Sequence, residues 1–538
     1  MNKIKIDRDR IIGKINRNIF GGFLEHFNKI IYEGIVDYNH SKADQEGFRA
    51  DVLDAFRTLN TPILRWPGGN FTSGYHWEDG IGPINERPVR YDLEWQVEES
   101  NRFGTDEFIK FCRKIKAEPY ICVNAGSGTA EEAAHWVEYC NLKGNSYYSK
   151  LREKNGSPDS YNVKYWGIGN EIYGQGQIGR KDISQYIDCV KEFSRLMKKV
   201  DPTIKLVVVG SGRTELNFRL VKEAGEYFDY ISVHSYHVGD IPKSYEEIAA
   251  MSILTAEKLY EMKCSIDAAS YYIKDRKSKP VEIALDEWNL RIWDTEKFSE
   301  WLTLAYGFNT NNRELRSDNS TLVGKDVIVS REEMTDFITK RRREDNDNSS
   351  VTMVDAVYSA CVFNSVFRMC ESVTLGGFSP IINGKGLFSC LNGTIVKRPT
   401  YHVFKLYSQY SGNTILDTFV NTESYNIYID SPVHNTNKYI KVPYIDAIAS
   451  YSEIDKKLYL AVVNRNSEKV EECCVQTDNF KITGIKIHEI CNTGTESFND
   501  ITMCDEVCVK DKEIEIAGNG LIFNFLPHSV SILEFDIE

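Results

Sequence analysis

The sequence predicts an α/β protein: a (β/α)8 barrel followed by a smaller antiparallel β-sandwich of jelly-roll type. Three observations carry this. Short apolar segments rich in β-branched and aromatic residues recur through about the first 380 residues. Helix-like stretches lie between most of them. From about Gly384 the rhythm changes to partly alternating segments separated by Asn, Asp, Gly and Ser turns.

The strand candidates are Ile19–His26, Ile63–Gly69, Pro119–Gly126, Tyr165–Glu171, Lys205–Gly212, Tyr230–His237, Val281–Trp288 and Ser372–Phe378. Among the intervening helices, Gly47–Leu59 places Phe48, Val52, Leu53 and Phe56 on one face. Thr105–Lys116 does the same with Phe108, Ile109, Phe111, Cys112 and Ile115. Strands alternating with helices imply βα units and a parallel sheet, and eight such units close a barrel. A stretch over 310–350, rich in Arg, Lys and Glu, separates the last two strands and reads as a solvated loop or exposed helix, or as a lid or oligomer contact near the site.

Beyond the barrel, Lys457–Asn464, Phe480–His488 and Val530–Phe535 alternate apolar with polar residues, and helices thin out after Thr400–Gln409. This is the pattern of an antiparallel sandwich. The expected division is 18–383 for the barrel and 384–538 for the sandwich. No Gly/Ser linker lies between them, so the two are expected to pack together. A chain of 538 residues exceeds what one core usually serves.

Charge narrows the function. The formal net charge is −13, which repels phosphate backbones and anionic lipid, so no nucleic-acid or membrane partner is expected. No apolar run approaches the roughly 20 residues that span a bilayer. Met1–Leu24 carries Lys3, Lys5, Arg8, Arg10, Lys14 and Arg17 and lacks a signal-peptide core. The 13 cysteines are odd in number and scattered. Most, such as Cys122 and Cys361, read as small buried hydrophobes. A cytoplasmic location is expected.

In a barrel of this kind the reactive groups gather where strands end. The fourth segment ends Trp166-Gly167-Ile168-Gly169-Asn170-Glu171, and the seventh ends Ala284-Leu285-Asp286-Glu287-Trp288-Asn289. Two glutamates across one mouth are what glycoside cleavage needs. One arrives protonated and serves the leaving oxygen; the other is ionised and meets the anomeric carbon. The first segment supplies Glu25 and His26, the second Arg65, Gly68, Gly69 and Asn70, and the sixth His234 and Tyr236. Arg65 reads as a sugar contact or an internal ion pair. His234 and Tyr236 read as substrate contacts or as hydrogen bonds within the mouth. Trp95 offers a ring to a sugar face, whereas Trp77 and Trp136 are assigned to packing. Ten histidines form no HExxH motif, and there is no GxSxG elbow, phosphate loop or complete dinucleotide fingerprint. Neither a metal nor a cofactor is expected.

With these residues the chain resembles glycoside hydrolase family 51, the α-L-arabinofuranosidases. The resemblance rests on GGFLEH (Gly21–His26), ILRWPGGNFTSGYHWEDGIGP (Ile63–Pro83), YWGIGNEIYG (Tyr165–Gly174), YISVHSYH (Tyr230–His237) and IALDEWN (Ile283–Asn289). It extends to YYSKLR (Tyr147–Arg152), VDPTIKLVV (Val200–Val208) and VPYIDAIASY (Val442–Tyr451), and so covers nearly the whole chain. It implies that Glu171 is the acid/base and Glu287 the nucleophile of a retaining, exo-acting enzyme. By the same resemblance, Glu25, Arg65, Asn70 and Asn170 hold the arabinofuranose hydroxyls, Tyr236 hydrogen-bonds the nucleophile and Trp95 shapes the mouth. Residues 1–17 would join the sandwich, and the assembly would be a homo-oligomer, commonly a hexamer. Arabinose-containing oligosaccharides are the implied partners. The chain departs from the family at Arg291, where an aromatic is often found. After the eighth strand, Asn383 is the nearest amide to a position where relatives carry glutamine. The other readings are β-xylosidase or endo-β-glucanase specificity on the same fold, or a sugar-binding protein without catalysis.

Overall fold

The computed structural model describes the chain except for residues 175, 239–243, 274–279, 292–345, 432–435, 492–493 and 515–520. The expectation of a charged insertion over 310–350 therefore falls mostly outside the described residues.

Eight strands close into a parallel barrel: β2 (Gly22–Phe23), β3 (Ile63–Trp66), β4 (Glu118–Val123), β5 (Tyr165–Ile168), β6 (Lys205–Val208), β7 (Tyr230–Val238), β8 (Glu282–Arg291) and β9 (Val373–Phe378). They are preceded by β1 (Asn2–Lys14), which lies outside the barrel. Each strand candidate overlaps one of the eight, and the observed Glu282–Arg291 runs three residues beyond the expected Trp288. The first is shorter than the sequence suggests, because Asn16 accepts a hydrogen bond from the Asn18 amide and winds Arg17–Phe20 into a 3-10 turn. Inside the barrel, Ile63, Tyr120, Tyr165, Val207, Tyr230, Ala284 and Leu375 form one layer drawn from successive strands. The lumen is thus a packed core, and function is confined to its rim.

Helix ends follow local chemistry. The expected Gly47–Leu59 helix begins only at Ala50, since the Asp44 carboxylate accepts from the Glu46 and Phe48 amides and holds a turn there. The expected Thr105–Lys116 helix stops at Ile115, where Lys116 takes a left-handed cap with φ 63°. Trp77 and Trp136 stack in the core with ring centroids 5.7 Å apart, as packing residues.

The second sheet contains β10 (Thr414–Asn421), β11 (Ile445–Ser452), β12 (Lys457–Asn464), β13 (Glu471–Asp478), β14 (Ile482–Ile490), β15 (Val509–Ile514), β16 (Leu521–Phe525) and β17 (Val530–Ile537). Together with β1 they form one hydrogen-bonded order, β15-β14-β17-β12-β11-β10-β1-β13-β16. All pairings are antiparallel except β1 with β13. The sheet folds over itself: Phe523 on edge strand β16 and Phe535 on β17 lie with ring centroids 6.4 Å apart. One core, including Ile4, Leu416, Leu460, Phe523 and Phe535, fills the space between the layers.

The two parts share a buried seam. Asp446 of β11 pairs with Arg368 of the barrel helix Met353–Arg368 and with Arg465 at 3.2 Å. Helix Pro399–Gln409 packs against the barrel helix Ala50–Leu59, where Tyr401 donates to the Ala55 carbonyl at 3.3 Å.

Candidate active site

The C-terminal rim of the barrel collects charged side chains from five of the eight strands or the loops that follow them. The register of β8 against β7 slips there: Ala284 faces Ser232, but Glu287 faces His234. Three steps along β8 thus match two along β7, a bulge of the kind that re-aims side chains. Simple alternation would send one of two adjacent residues outward. Here both Asp286 and Glu287 turn inward, and both approach Arg65 and His234.

Arg65, at 3 % exposure, is the hub. Its Nη1 donates to Glu287 Oε1, and its Nη2 donates to Asn170 Oδ1 at 2.7 Å. Its Nε lies 3.7 Å from Asp286 Oδ2. Asn170 in turn donates to Asn70 Oδ1 at 3.2 Å. The planar guanidinium fork holds two partners at fixed angles, which an ammonium cannot do. The carboxylates of Glu287 and Asp286 outweigh burial and raise the Arg65 pKa well above its usual value. Of the two readings of Arg65, the internal ion pair is present.

Glu171 does not end a strand as expected. β5 stops at Ile168. Gly169 then turns with φ +78°, and a Cβ there would meet Ala125 Cβ at 2.9 Å. Glu171 itself has φ 39°, a strained backbone for a side chain of its size. The turn lifts its carboxylate over the mouth, where 44 % of the side chain is exposed.

His234 Nδ1 lies 2.8 Å from Glu171 Oε1 and 3.6 Å from Glu287 Oε1, while its Nε2 lies 3.5 Å from Asp286 Oδ1. Burial alone would lower the His234 pKa. The Glu287 charge and the Asp286 and Glu171 contacts overcome this and push it up to about 10. Burial likewise pushes Glu171 up, but its hydrogen bond with His234 and the charges of His234, Arg65 and Lys258 hold it below the usual carboxylate range.

Tyr236 donates to Glu287 Oε2 at 2.7 Å and contacts Ser379 Oγ. Glu25 accepts from the Gly69 and Phe71 amides, both at 3.1 Å. Burial, then the Glu287 charge, raise its pKa to about 7. Gly69 is the floor of the site: a Cβ there would approach Glu287 Oε1 to 3.3 Å and Glu25 Oε1 to 3.4 Å. Beside it, Phe23, Glu25, Phe27, Trp95, Arg291 and Lys385 line a pocket. Trp95 packs on Phe27 with ring centroids 4.1 Å apart.

Asn383 is buried and faces away from this pocket. Its amide donates to the Lys29 carbonyl, and its oxygen accepts from the Cys390 amide at 2.9 Å. It is a loop clamp and does not stand in for a sugar-binding amide. Sequence reasoning missed Asp286, Ser379 and Lys258, whose ammonium donates to the His234 carbonyl at 2.5 Å. Strict alternation along β8, with Glu287 facing in, would point Asp286 outward. Lys258 belongs to the helix Tyr245–Ser270, and nothing in that helix marks it out.

Comparison with known proteins agrees with this geometry. Residues 55–252 match the family model of the α-L-arabinofuranosidase 1 domain, and residues 286–529 match that of the α-L-arabinofuranosidase C-terminal domain. The intracellular exo-α-(1→5)-L-arabinofuranosidase 1 of Bacillus subtilis (strain 168) is 30% identical over 551 residues, covering 98% of this chain and 97% of its own. The intracellular exo-α-(1→5)-L-arabinofuranosidase of Acetivibrio thermocellus is 31% identical over 474 residues, with 86% and 85% covered. Among solved structures, the Thermotoga maritima α-L-arabinofuranosidase in complex with arabinose is 35% identical, with a TM-score of 0.84 and 99% of both chains covered. The family 51 α-L-arabinofuranosidase of Thermotoga petrophila RKU-1 is also 35% identical with a TM-score of 0.84, covering 99% of this chain and 100% of its own. The chain belongs to the α-L-arabinofuranosidases of glycoside hydrolase family 51.

Proposed function

We propose that the enzyme is exo-acting and retaining, and that it releases terminal α-L-arabinofuranosyl groups from short oligosaccharides by double displacement. The observation that carries this reading is the spacing of the two carboxylates. One oxygen of Glu171 and one of Glu287 lie within 4.8 Å of each other, with His234 Nδ1 between them. That favours direct attack on the anomeric carbon, since an inverting pair stands about 6.5–9.5 Å apart to admit water.

In the first step Glu287 attacks the anomeric carbon, and the glycosidic oxygen leaves with a proton from Glu171. That proton is held by the Glu171–His234 pair. Seating a substrate covers Glu171 and strips its water, which favours the protonated carboxyl. His234 passes its Nδ1 proton to Glu171 as Glu171 protonates the leaving oxygen, leaving a neutral imidazole. In the second step Glu171, now a carboxylate, takes a proton from water, whose oxygen displaces Glu287 from the sugar. Arg65, Asn70, Asn170 and Glu25 hold the sugar hydroxyls, Tyr236 orients Glu287, and Trp95 walls the pocket. The exo mode and an intracellular place of action are supported by the Bacillus and Acetivibrio relatives, both intracellular exo-α-(1→5)-L-arabinofuranosidases. No described helix is long and apolar enough to cross a membrane. A homo-oligomer, hexameric by family resemblance, is checked by analytical ultracentrifugation.

The test is hydrolysis of 4-nitrophenyl α-L-arabinofuranoside by wild type, Glu171→Ala and Glu287→Ala, each with azide. The expected result is turnover by wild type, no turnover by Glu287→Ala, and glycosyl azide formation by Glu171→Ala. Turnover of the aryl xyloside or of carboxymethylcellulose in preference to the arabinofuranoside overturns the sugar assignment and leaves the mechanism standing.

A further inference from the structure

We propose that Arg291 is a positioning residue for the nucleophile, acting through the ring of Tyr236. Arg291 closes β8, on the strand that carries Glu287. Its guanidinium carbon lies 4.4 Å from the centroid of the Tyr236 ring. The hydroxyl of that ring donates to Glu287 Oε2 at 2.7 Å. Three groups therefore stand in series: a fixed cation, an aromatic face and a hydrogen bond onto the attacking carboxylate.

The chemistry of the stack gives the direction. A cation over a π face is attracted to the ring and draws electron density from it. The phenol becomes a stronger donor, and a stronger bond to the ionised carboxylate favours that ionised form. Arg291 therefore helps to keep Glu287 charged and aimed while it waits for substrate. It also lines the sugar pocket beside Glu25 and Trp95, so its charge reaches Glu25 as well. The other groups that bear on Glu287 are Arg65 from β3, Glu25 after β2, Cys122 from β4, Glu171 after β5, His234 from β7 and Asp286, next to Glu287 in the chain, while Ser379 after β9 touches the Tyr236 hydroxyl. Of these, Arg65 and His234 supply its direct charge pairing, whereas Arg291 acts on its second oxygen through the phenol.

The inference rests on Glu287 being the nucleophile, so the experiment reads the two separately. Arg291→Met, Arg291→Gln and Arg291→Lys are made in the full chain, and their thermal midpoints confirm folding. For each, the pH dependence of kcat/KM is followed with 4-nitrophenyl α-L-arabinofuranoside. The neutral variants are expected to move the acidic limb upward by about half a pH unit or more, and Arg291→Lys is expected to restore most of the wild-type position. In a Tyr236→Phe background the Arg291→Met shift should shrink to less than half. An unmoved limb overturns the inference. A shift of the same size with and without the Tyr236 hydroxyl also overturns it, because Arg291 would then act on Glu287 through space alone. A 2-deoxy-2-fluoro arabinofuranosyl inactivator, followed by peptide mass analysis, tests the underlying reading. A label on Glu287 with an unmoved limb sinks only the role of Arg291; a label on another carboxylate sinks the functional reading itself.

Discussion

His234 and Glu171 share a 2.8 Å hydrogen bond across the barrel mouth, joining the middle of β7 to the strained turn after β5. The imidazole is pressed between Glu171 on one side and Asp286 on the other. Raised to about 10 by its carboxylate neighbours, it is a cation at neutral pH. The pair then holds one proton for the leaving group, and the basic limb of activity belongs to the loss of that proton. His234→Gln removes the reservoir and leaves Glu171 to titrate alone as a carboxyl. The basic limb of kcat/KM is expected to fall by about one pH unit or more, with a lower kcat. A basic limb that stays in place in this variant would show that the proton resides on Glu171 independently of the imidazole.

Stability follows the same pairing. The folded His234 pKa of about 10 lies above its ordinary value of 6.5. Its contribution is therefore complete below pH 6.5 and is lost as pH rises toward 10. Glu25 has the opposite sign. Its carboxyl is raised from 4.5 to about 7 by burial and by Glu287. Below pH 4.5 it is protonated in both folded and unfolded chains and has no effect. Between pH 4.5 and 7 folding becomes progressively less favourable, and above pH 7 the cost is constant at roughly 3 kcal/mol. Glu25→Gln keeps an oxygen to accept from the Gly69 and Phe71 amides but carries no charge. Thermal unfolding of both proteins across pH 4–8 should show the variant gaining stability on wild type up to pH 7 and no further. Parallel curves would contradict the assignment.

The fold was legible because its signals are local. Eight apolar segments with β-branched residues, and helices with one apolar face, can be read without knowing what they pack against. The pair Glu171 and Glu287 was legible too, because Glu171 follows an apolar strand within a few residues and Glu287 lies in the apolar strand Glu282–Arg291. What lay beyond the sequence were departures from regular geometry. The bulge between Ala284 and Glu287 brings Asp286 inward, and only strand pairing reveals it. The turn at Gly169 ends β5 before Glu171, whereas an unbroken strand was expected. Lys258 and Ser379 reach the site through tertiary packing, which no spacing encodes. Asn383 was marked by its chemistry alone, and the hydrogen bonds that hold it elsewhere come from residues distant in the chain.

Arg65 tests how much of the site depends on one fork. Its partners Glu287 and Asn170 lie at two different donor atoms, and Asp286 faces a third. Arg65→Met leaves two buried carboxylates with His234 as their remaining cation, a loss on the order of 3 kcal/mol in folding. Arg65→Lys keeps the charge but cannot reach Glu287 and Asn170 together. Its thermal midpoint should stay closer to wild type, while kcat/KM falls by roughly 100-fold, a size typical of lost orientation. Steady-state kinetics alongside calorimetry separate the two effects. Wild-type kinetics in the lysine variant would show that charge alone suffices.

Gly169 offers the sharpest test of the strained turn. Its φ of +78° favours glycine, and a Cβ would press on Ala125 at 2.9 Å. Gly169→Ala must therefore either shift the segment after β4 or relax the turn that lifts Glu171. The expected cost is about 1–3 kcal/mol in stability. Because Arg65, Asn70 and Tyr236 are held by other strands, sugar binding should survive better than protonation of the leaving group. The variant is expected to lose kcat several-fold more on an aryl glycoside with a poor leaving group than on 2,4-dinitrophenyl α-L-arabinofuranoside, which needs little protonation. Equal losses on both substrates would mean that the turn supports the whole pocket rather than Glu171.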